Sequence, residues 1–197
     1  MTSKISKKED TVGCEDFFAW MRGVISECHC DSEVAERYLR RLEEGEPARD
    51  DNPESHFCVY FAAYDPQTGR VFVGLHRKSG RWLVNGGHVD RNELPDVTVR
   101  REMSEEWGQK TVGLKVDGPL LLTITEIDNR PIQACRTHFD IWYFVPVSEA
   151  EFYPDPELLD TEFSEMGWYS LVEAKELLTD VNTSKAIDFI SQNLLAA

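Results

Sequence analysis

Glu102, Glu105 and Glu106 stand at i, i+3 and i+4 in a stretch that reads as a helix from Leu94 to Trp107. That spacing puts three carboxylates on one helical face, within reach of one another. Like charges so placed destabilise an isolated helix by about 0.2–0.5 kcal/mol per pair. A hard dication that takes oxygen ligands, magnesium or manganese, removes the repulsion. The plain alternative is a solvated acidic face, common in so acidic a chain. The surrounding residues favour the cation. Gly86 and Gly87 precede the helix and can bring a backbone carbonyl close to a bound ion. Glu93 lies near the helix start, where an anion suits the dipole. Arg101 can pair with Glu93 or with the helical acids and hold their rotamers. Val99, Met103 and Trp107 are spaced to face a core, so that the acids point outward.

The elements that must position this helix follow from periodicity. Residues 11–45 read as helical, with Phe17, Trp20, Met21, Val24 and Ile25 on one face. Asp31 and Ser32 offer a cap, Val34, Tyr38 and Leu42 a second apolar stripe, and Gly45 a stop. Glu46 to Ser55 is a linker with two prolines. From His56 the pattern becomes strand-like. Phe57 to Tyr64 is a near-continuous apolar run, Asp65 to Gly69 a turn, and Arg70 to Arg77 the return strand. Trp82–Val84 is a short strand, and further strands fall at 114–127, 138–147 and 167–169, with a turn at Asp128-Asn129-Arg130-Pro131. Helices are expected at 171–178 and at 184–195, the latter capped by Thr183 or Ser184 with Ile187, Ile190 and Leu194 inward. Strands and helices mixed this way predict an α/β fold, a mixed sheet with helices on its faces. Residues 1–55 form a helical extension and 56–197 the main domain.

Composition narrows the partners. Of 197 residues, 41% are hydrophobic and 29% charged, as in ordinary globular proteins. The formal charge of −15 repels nucleic-acid polymers and anionic membranes. If the substrate is a phosphate compound, a cation must mediate. No apolar run is long enough to span a bilayer, and Met1 to Asp10 has no secretory core, so a cytoplasmic location is expected. Five cysteines (Cys14, Cys28, Cys30, Cys58 and Cys135) are expected to be free thiols. Cys28-His29-Cys30 looks like a metal fragment, but no second cluster follows at finger-like spacing, so no zinc site is expected there.

Gly87, five residues, Glu93, seven residues, Arg101-Glu102-Met103-Ser104-Glu105-Glu106-Trp107-Gly108 resembles the Nudix box, G-x5-E-x7-R-E-U-x-E-E-x-G-U with U bulky and apolar. Gln109 departs at the last position, and Asn85 stands where many members have proline. Outside the box the likeness to MutT-type members is weaker, through His76 to Leu83, Gly-Gly-His, and Glu162 to Ser170. The resemblance implies an α/β/α sandwich and a magnesium-dependent hydrolase that cuts a pyrophosphate bond. It implies Glu105 and Glu106 as magnesium ligands, Glu102 as a ligand or the base, the Gly87 carbonyl completing the shell, and Arg101 with Glu93 fixing the ligands.

Some Nudix enzymes use a further acid from a later loop, for which Glu162 and Glu165 are candidates beside the plainer role of surface glutamates. His76, Arg77, Lys78, Arg81 and His88 flank the box and can neutralise substrate phosphate. His138 is expected to be a satisfied sheet residue. Trp82, Phe139, Trp142 and Tyr143 offer faces for a base, with core packing the expected role for most. The expected substrate is a nucleoside diphosphate-linked compound. Nucleoside triphosphates, ADP-ribose, dinucleoside polyphosphates and nucleotide sugars all stay open, and a homodimer is compatible with the sequence. Two rival readings are a non-catalytic sensor that binds a nucleotide or a protein partner, and an isopentenyl diphosphate isomerase. Retention of every box acid weighs against the sensor. The isomerase wants a Cys and Glu frame in which neither Cys58 nor Cys135 sits.

Overall fold

The computed structural model describes residues 14–111, 113–127 and 134–195; the expected turn at 128–131, Cys14's side chain and the polar start of the chain lie outside the described residues. In chain order the elements are α1 (Cys14–Glu27), α2 (Ser32–Glu43), β1 (Ser55–Asp65), β2 (Arg70–His76), β3 (Trp82–Leu83), β4 (Asn85–His88), α3 (Pro95–Glu106), β5 (Asp117–Glu126), β6 (Thr137–Pro146), α4 (Pro156–Glu162), β7 (Phe163–Ser170), α5 (Leu171–Leu177) and α6 (Val181–Phe189).

The seven strands form one mixed sheet. β1 runs parallel to β6 from Ser55↔Thr137 to Tyr64↔Pro146, and β5 flanks β6 antiparallel. On its other side β1 meets β2 only at Tyr64 and Asp65; over Cys58 to Phe61 it pairs with β4 instead. β2 carries β3 on one side and β7 on the other. The sheet therefore forks beside β1, and the fork opens a cleft. Alternation sorts side chains to the two faces. Phe57, Val59 and Phe61 with Phe139, Ile141 and Tyr143 face α1, α2 and α3, while Ala62 and Tyr64 with Trp142 and Phe144 face α5 and α6. The result is the expected helix–sheet–helix sandwich.

Several expectations need correction. The Asn85-Gly86-Gly87-His88 stretch is itself a strand, because β1 offers it backbone partners that its composition does not advertise. β7 is longer than expected, its register fixed along β2. A helix at Pro156–Glu162 was not foreseen; Pro156 opens it and the Asp155 side chain accepts the Glu157 N–H. α6 begins at Val181 rather than 184, since the Asp180 carboxylate takes the Thr183 N–H at 2.7 Å. Asp31 does precede α2, but without a side-chain capping bond.

Candidate active site

α3 is anchored by Val99, Met103 and Trp107, all about 1% exposed or less. Its end is fixed by Gly108, at φ 89°. The Trp107 ring packs edge-on against Phe61, and its indole N–H donates to Asn85 Oδ1 at 2.8 Å. Asn85 Nδ2 in turn donates to Glu106 Oε2 at 2.7 Å. The residue that departs from the usual box pattern thus couples β4 to the helix and orients a carboxylate. Gln109, the other departure, donates to Ser104 Oγ on the exposed side.

Beside α3 and β4 lies a cleft of about 450 Å³. Gly87, Glu102 and Glu106 form one wall; His76, Lys78 and Glu162 form another. A Cβ on Gly87 would overlap the Glu102 carboxylate, so glycine is needed for the close approach. Arg101 is the hub behind this wall. It donates to Glu93 Oε1 at 3.1 Å, to Glu102 Oε1 at 2.7 Å, to the His88 carbonyl at 2.9 Å and to Glu105 Oε2 at 3.2 Å. Thr98 Oγ1 adds a bond to Glu93 at 2.8 Å.

Electrostatics separate these acids. Burial pushes Glu93 up, but the bonds from Arg101 and Thr98 outweigh it and hold the carboxyl below its usual range. Burial raises Glu102 despite Arg101 beside it. Burial pushes Glu106 up to about 8, against the Asn85 bond and with the Glu102 charge adding to it. Two carboxylates short of positive charge line the cleft beside Gly87, where Glu102 fills the space a Cβ would take, and such a donor set suits a hard dication.

The remaining sequence candidates divide. Glu105 does not line the cleft; its side chain is 57% exposed and held by Arg101. Glu162, at the end of α4, does line it, and its Oε2 lies 3.4 Å from His76 Nε2 and 3.7 Å from Lys78 Nζ. Glu165 is an exposed residue within β7, opposite Leu75, rather than one just before a strand, and is not among the lining residues. Arg81 faces Asp180 at 3.9 Å, and Arg77 Nε donates to the Asp160 carbonyl; neither lines the cleft. Phe139, Trp142 and Tyr143 are core, and Trp82 packs on Tyr169.

His88 and His138 line the inner end, along with Cys58. His138 is not the satisfied sheet residue expected, because its buried Nε2 has no partner. Sequence reasoning also missed Arg49, Tyr60, Phe163 and Cys135 as lining residues. The signal for Cys58 and Tyr60 was present in β1's alternation, but a run of apolar residues hid it.

The model of the NUDIX domain family matches residues 54–188. By sequence, no curated protein matches the chain significantly. Solved structures share the fold. The E. coli dihydroneopterin triphosphate pyrophosphohydrolase superposes with a TM-score of 0.56 at 18% identity, covering 72% of this chain and 96% of that one. A C. elegans Ap4A hydrolase binary complex gives 0.54 at 14% identity, covering 72% and 98%.

Proposed function

The chain belongs to the NUDIX domain family, and on that premise we propose that it is a magnesium-dependent hydrolase cutting the pyrophosphate bond of a nucleoside diphosphate-linked substrate. The observation that carries the proposal is that Glu102, Glu106 and Gly87 line one cleft together, with Glu102 so close to Gly87 that a Cβ there would overlap its carboxylate. Glu102, Glu106 and the Gly87 carbonyl would hold the ion, with Glu105 joining if it rotates away from Arg101. Bound there, magnesium would neutralise diphosphate oxygens and lower the pKa of a water.

The chain's own residues supply the rest. Arg101 fixes Glu102 through the Oε1 bond and is itself fixed by Glu93. Glu102, its carboxyl raised above the usual range by burial, is placed to act as the general base. It accepts the proton as the water oxygen bonds to phosphorus and the bridging P–O bond breaks. Lys78 and Arg49 face the cleft and offset phosphate charge in a chain of net −15. Tyr60 and Phe163 give the cleft aromatic surface for the attached group. Both solved structures above carry names of phosphoanhydride-cleaving enzymes, which supports the reaction class and leaves the substrate to experiment.

The test is a panel of nucleoside triphosphates, ADP-ribose, dinucleoside polyphosphates and nucleotide sugars, assayed with and without magnesium. Glu102→Gln and Glu106→Gln should each lower turnover on the preferred compound by about 10²–10⁴-fold, the range for losing a positioned proton acceptor or ligand, with unchanged circular dichroism. Wild-type turnover in both variants at saturating magnesium would refute the assignment. Nucleotide binding without any hydrolysis would favour a sensor.

A further inference from the structure

Four side chains, three of them lining the cleft and His56 buried behind them, are brought together by the sheet register alone. His56 and Cys58 lie two apart on β1 and so share a face. His138 on β6 is the direct cross-strand partner of His56, and His88 on β4 is the direct partner of Cys58. The three imidazole rings form a near-equilateral triangle with centroids 4.8, 4.9 and 5.2 Å apart. One ligand atom from each of the four residues lies within 4.8 Å of all the others. No ion pair to a carboxylate neutralises this cluster among the described residues.

From this geometry we propose that His56, Cys58, His88 and His138 bind one zinc ion in a tetrahedral site separate from the glutamate wall of α3.

The donor set chooses the ion. Three imidazoles and a thiolate suit zinc, or cobalt in its place, and not magnesium or calcium, which want oxygen. Zn–N and Zn–S bonds of about 2.0–2.3 Å imply ligand edges of roughly 3.3–3.6 Å, so small side-chain rotations close the present arrangement into a shell. The tautomer of His56 is already set. His56 Nδ1 lies 2.9 Å from the Asn52 carbonyl, which can only accept, so the proton sits on Nδ1. Its Nε2 lone pair is thereby left bare, in a side chain with 0% exposure and with no hydrogen-bond partner. An imidazole anchored through one nitrogen to a carbonyl and bare at the other is the usual posture of a metal ligand. His138 Nε2 is likewise buried and unpartnered. Leaving two such atoms orphaned costs stability unless something binds them. The Cys58 thiol would release its proton as the ion enters. Entry is from the cleft, which His88 and His138 both line. The bound ion and thiolate would leave a net positive charge next to the place proposed for the diphosphate.

The experiment needs no substrate, so its outcome is independent of the hydrolase proposal. Full-length protein stripped with a chelator is titrated with Co²⁺. One equivalent should give intense visible d–d bands of tetrahedral cobalt and a near-ultraviolet sulfur-to-cobalt charge-transfer band, both abolished by Zn²⁺ and unaffected by excess Mg²⁺. Cys58→Ser should remove the charge-transfer band, and His138→Ala should weaken binding by at least about 100-fold. Glu106→Gln should leave the cobalt spectrum unchanged. If Cys58→Ser fails to fold, His88→Ala decides, with the same loss of affinity expected. A weak octahedral spectrum, or a charge-transfer band that survives Cys58→Ser because another thiol such as Cys28 holds the ion, overturns the proposal.

Discussion

Asp65 at the end of β1 and Glu106 at the end of α3 show how differently the same group can be treated within one fold. Asp65, 3% exposed, accepts the backbone N–H groups of Gln67 at 2.8 Å, Thr68 at 3.2 Å and Glu149 at 2.9 Å. Burial pushes its pKa up, but these three donors outweigh burial and hold it below the usual range. Glu106 receives far less, and burial wins. Asp65 is therefore a finished structural site, whereas Glu106 is one that a cation would complete. The sign of the pH effect follows for Asp65. A depressed folded pKa gives stability that is present above the unfolded value, about 3.9, and is lost as pH falls through the folded one. In Asp65→Asn one oxygen becomes a donor facing an N–H, losing a charge-assisted bond of about 1.5–3 kcal/mol. Thermal melts should place the variant several degrees below wild type at pH 7, with the gap closing below about pH 3.9. A gap that persists unchanged into acid would mean that the carboxylate charge plays no part.

At the scale of elements, the acidic wall of the cleft is set where α3 approaches β4 until only glycine fits at position 87. Gly87→Ala would drive a methyl group into the Glu102 carboxylate. Since that carboxylate is a side-chain end and not backbone, the clash is relieved by swinging Glu102 off Arg101 instead of unfolding β4. Expected are a melting temperature within a few degrees of wild type and turnover lowered by about 100-fold or more, the cost of misplacing a reacting group by an ångström; unimpaired turnover would show that the close approach is incidental. Much of α3 was legible beforehand. Its apolar stripe, its terminating Gly108 and the 23-residue box spacing are all local signals, and local signals survive in a sequence. β4 was not legible, because Asn-Gly-Gly-His has no strand propensity and is held extended only by β1. The histidine–cysteine cluster was hidden for a related reason. His56 and Cys58 are near in sequence, but His88 and His138 join them only through two non-local registers, and no spacing rule reveals a register before the sheet is known. The assignment of Glu165 and Arg81 to the site failed because proximity along the chain to the box said nothing of which way β7 and the loop after β2 would turn them.

For the whole molecule, the question is whether α1 and α2 are an appendage or part of the core. The family match begins at residue 54, after both helices, and the sequence reading placed a boundary at 55/56. Packing tells against independence. Phe17 and Tyr38 lie edge-on to Phe57, and Tyr38 also to Phe139, in one continuous core. The Tyr38 hydroxyl lies 2.7 Å from the Asp140 carbonyl. Arg41, 2% exposed, donates to the carbonyls of Gly45, Glu46 and Ser55 and so clamps the linker to the start of β1. Between the helices, the His29 backbone donates to Leu120 and accepts from Leu122, covering the outer edge of β5. Deleting residues 1–44 would thus strip Phe57 and Phe139 of their cover and leave β5 as a bare edge strand. Burying one such ring fully is worth about 1.5–3 kcal/mol, and two partly uncovered rings are a serious loss against a total stability of about 5–15 kcal/mol. A bare edge adds the risk of strand-to-strand association. The fragment 45–197 should elute as aggregate in size-exclusion chromatography and lose its near-ultraviolet dichroism, although every residue proposed for the metal sites remains in it. A monomeric fragment melting with the full chain would instead make the helices a dispensable attachment, and their role would have to be sought outside the fold.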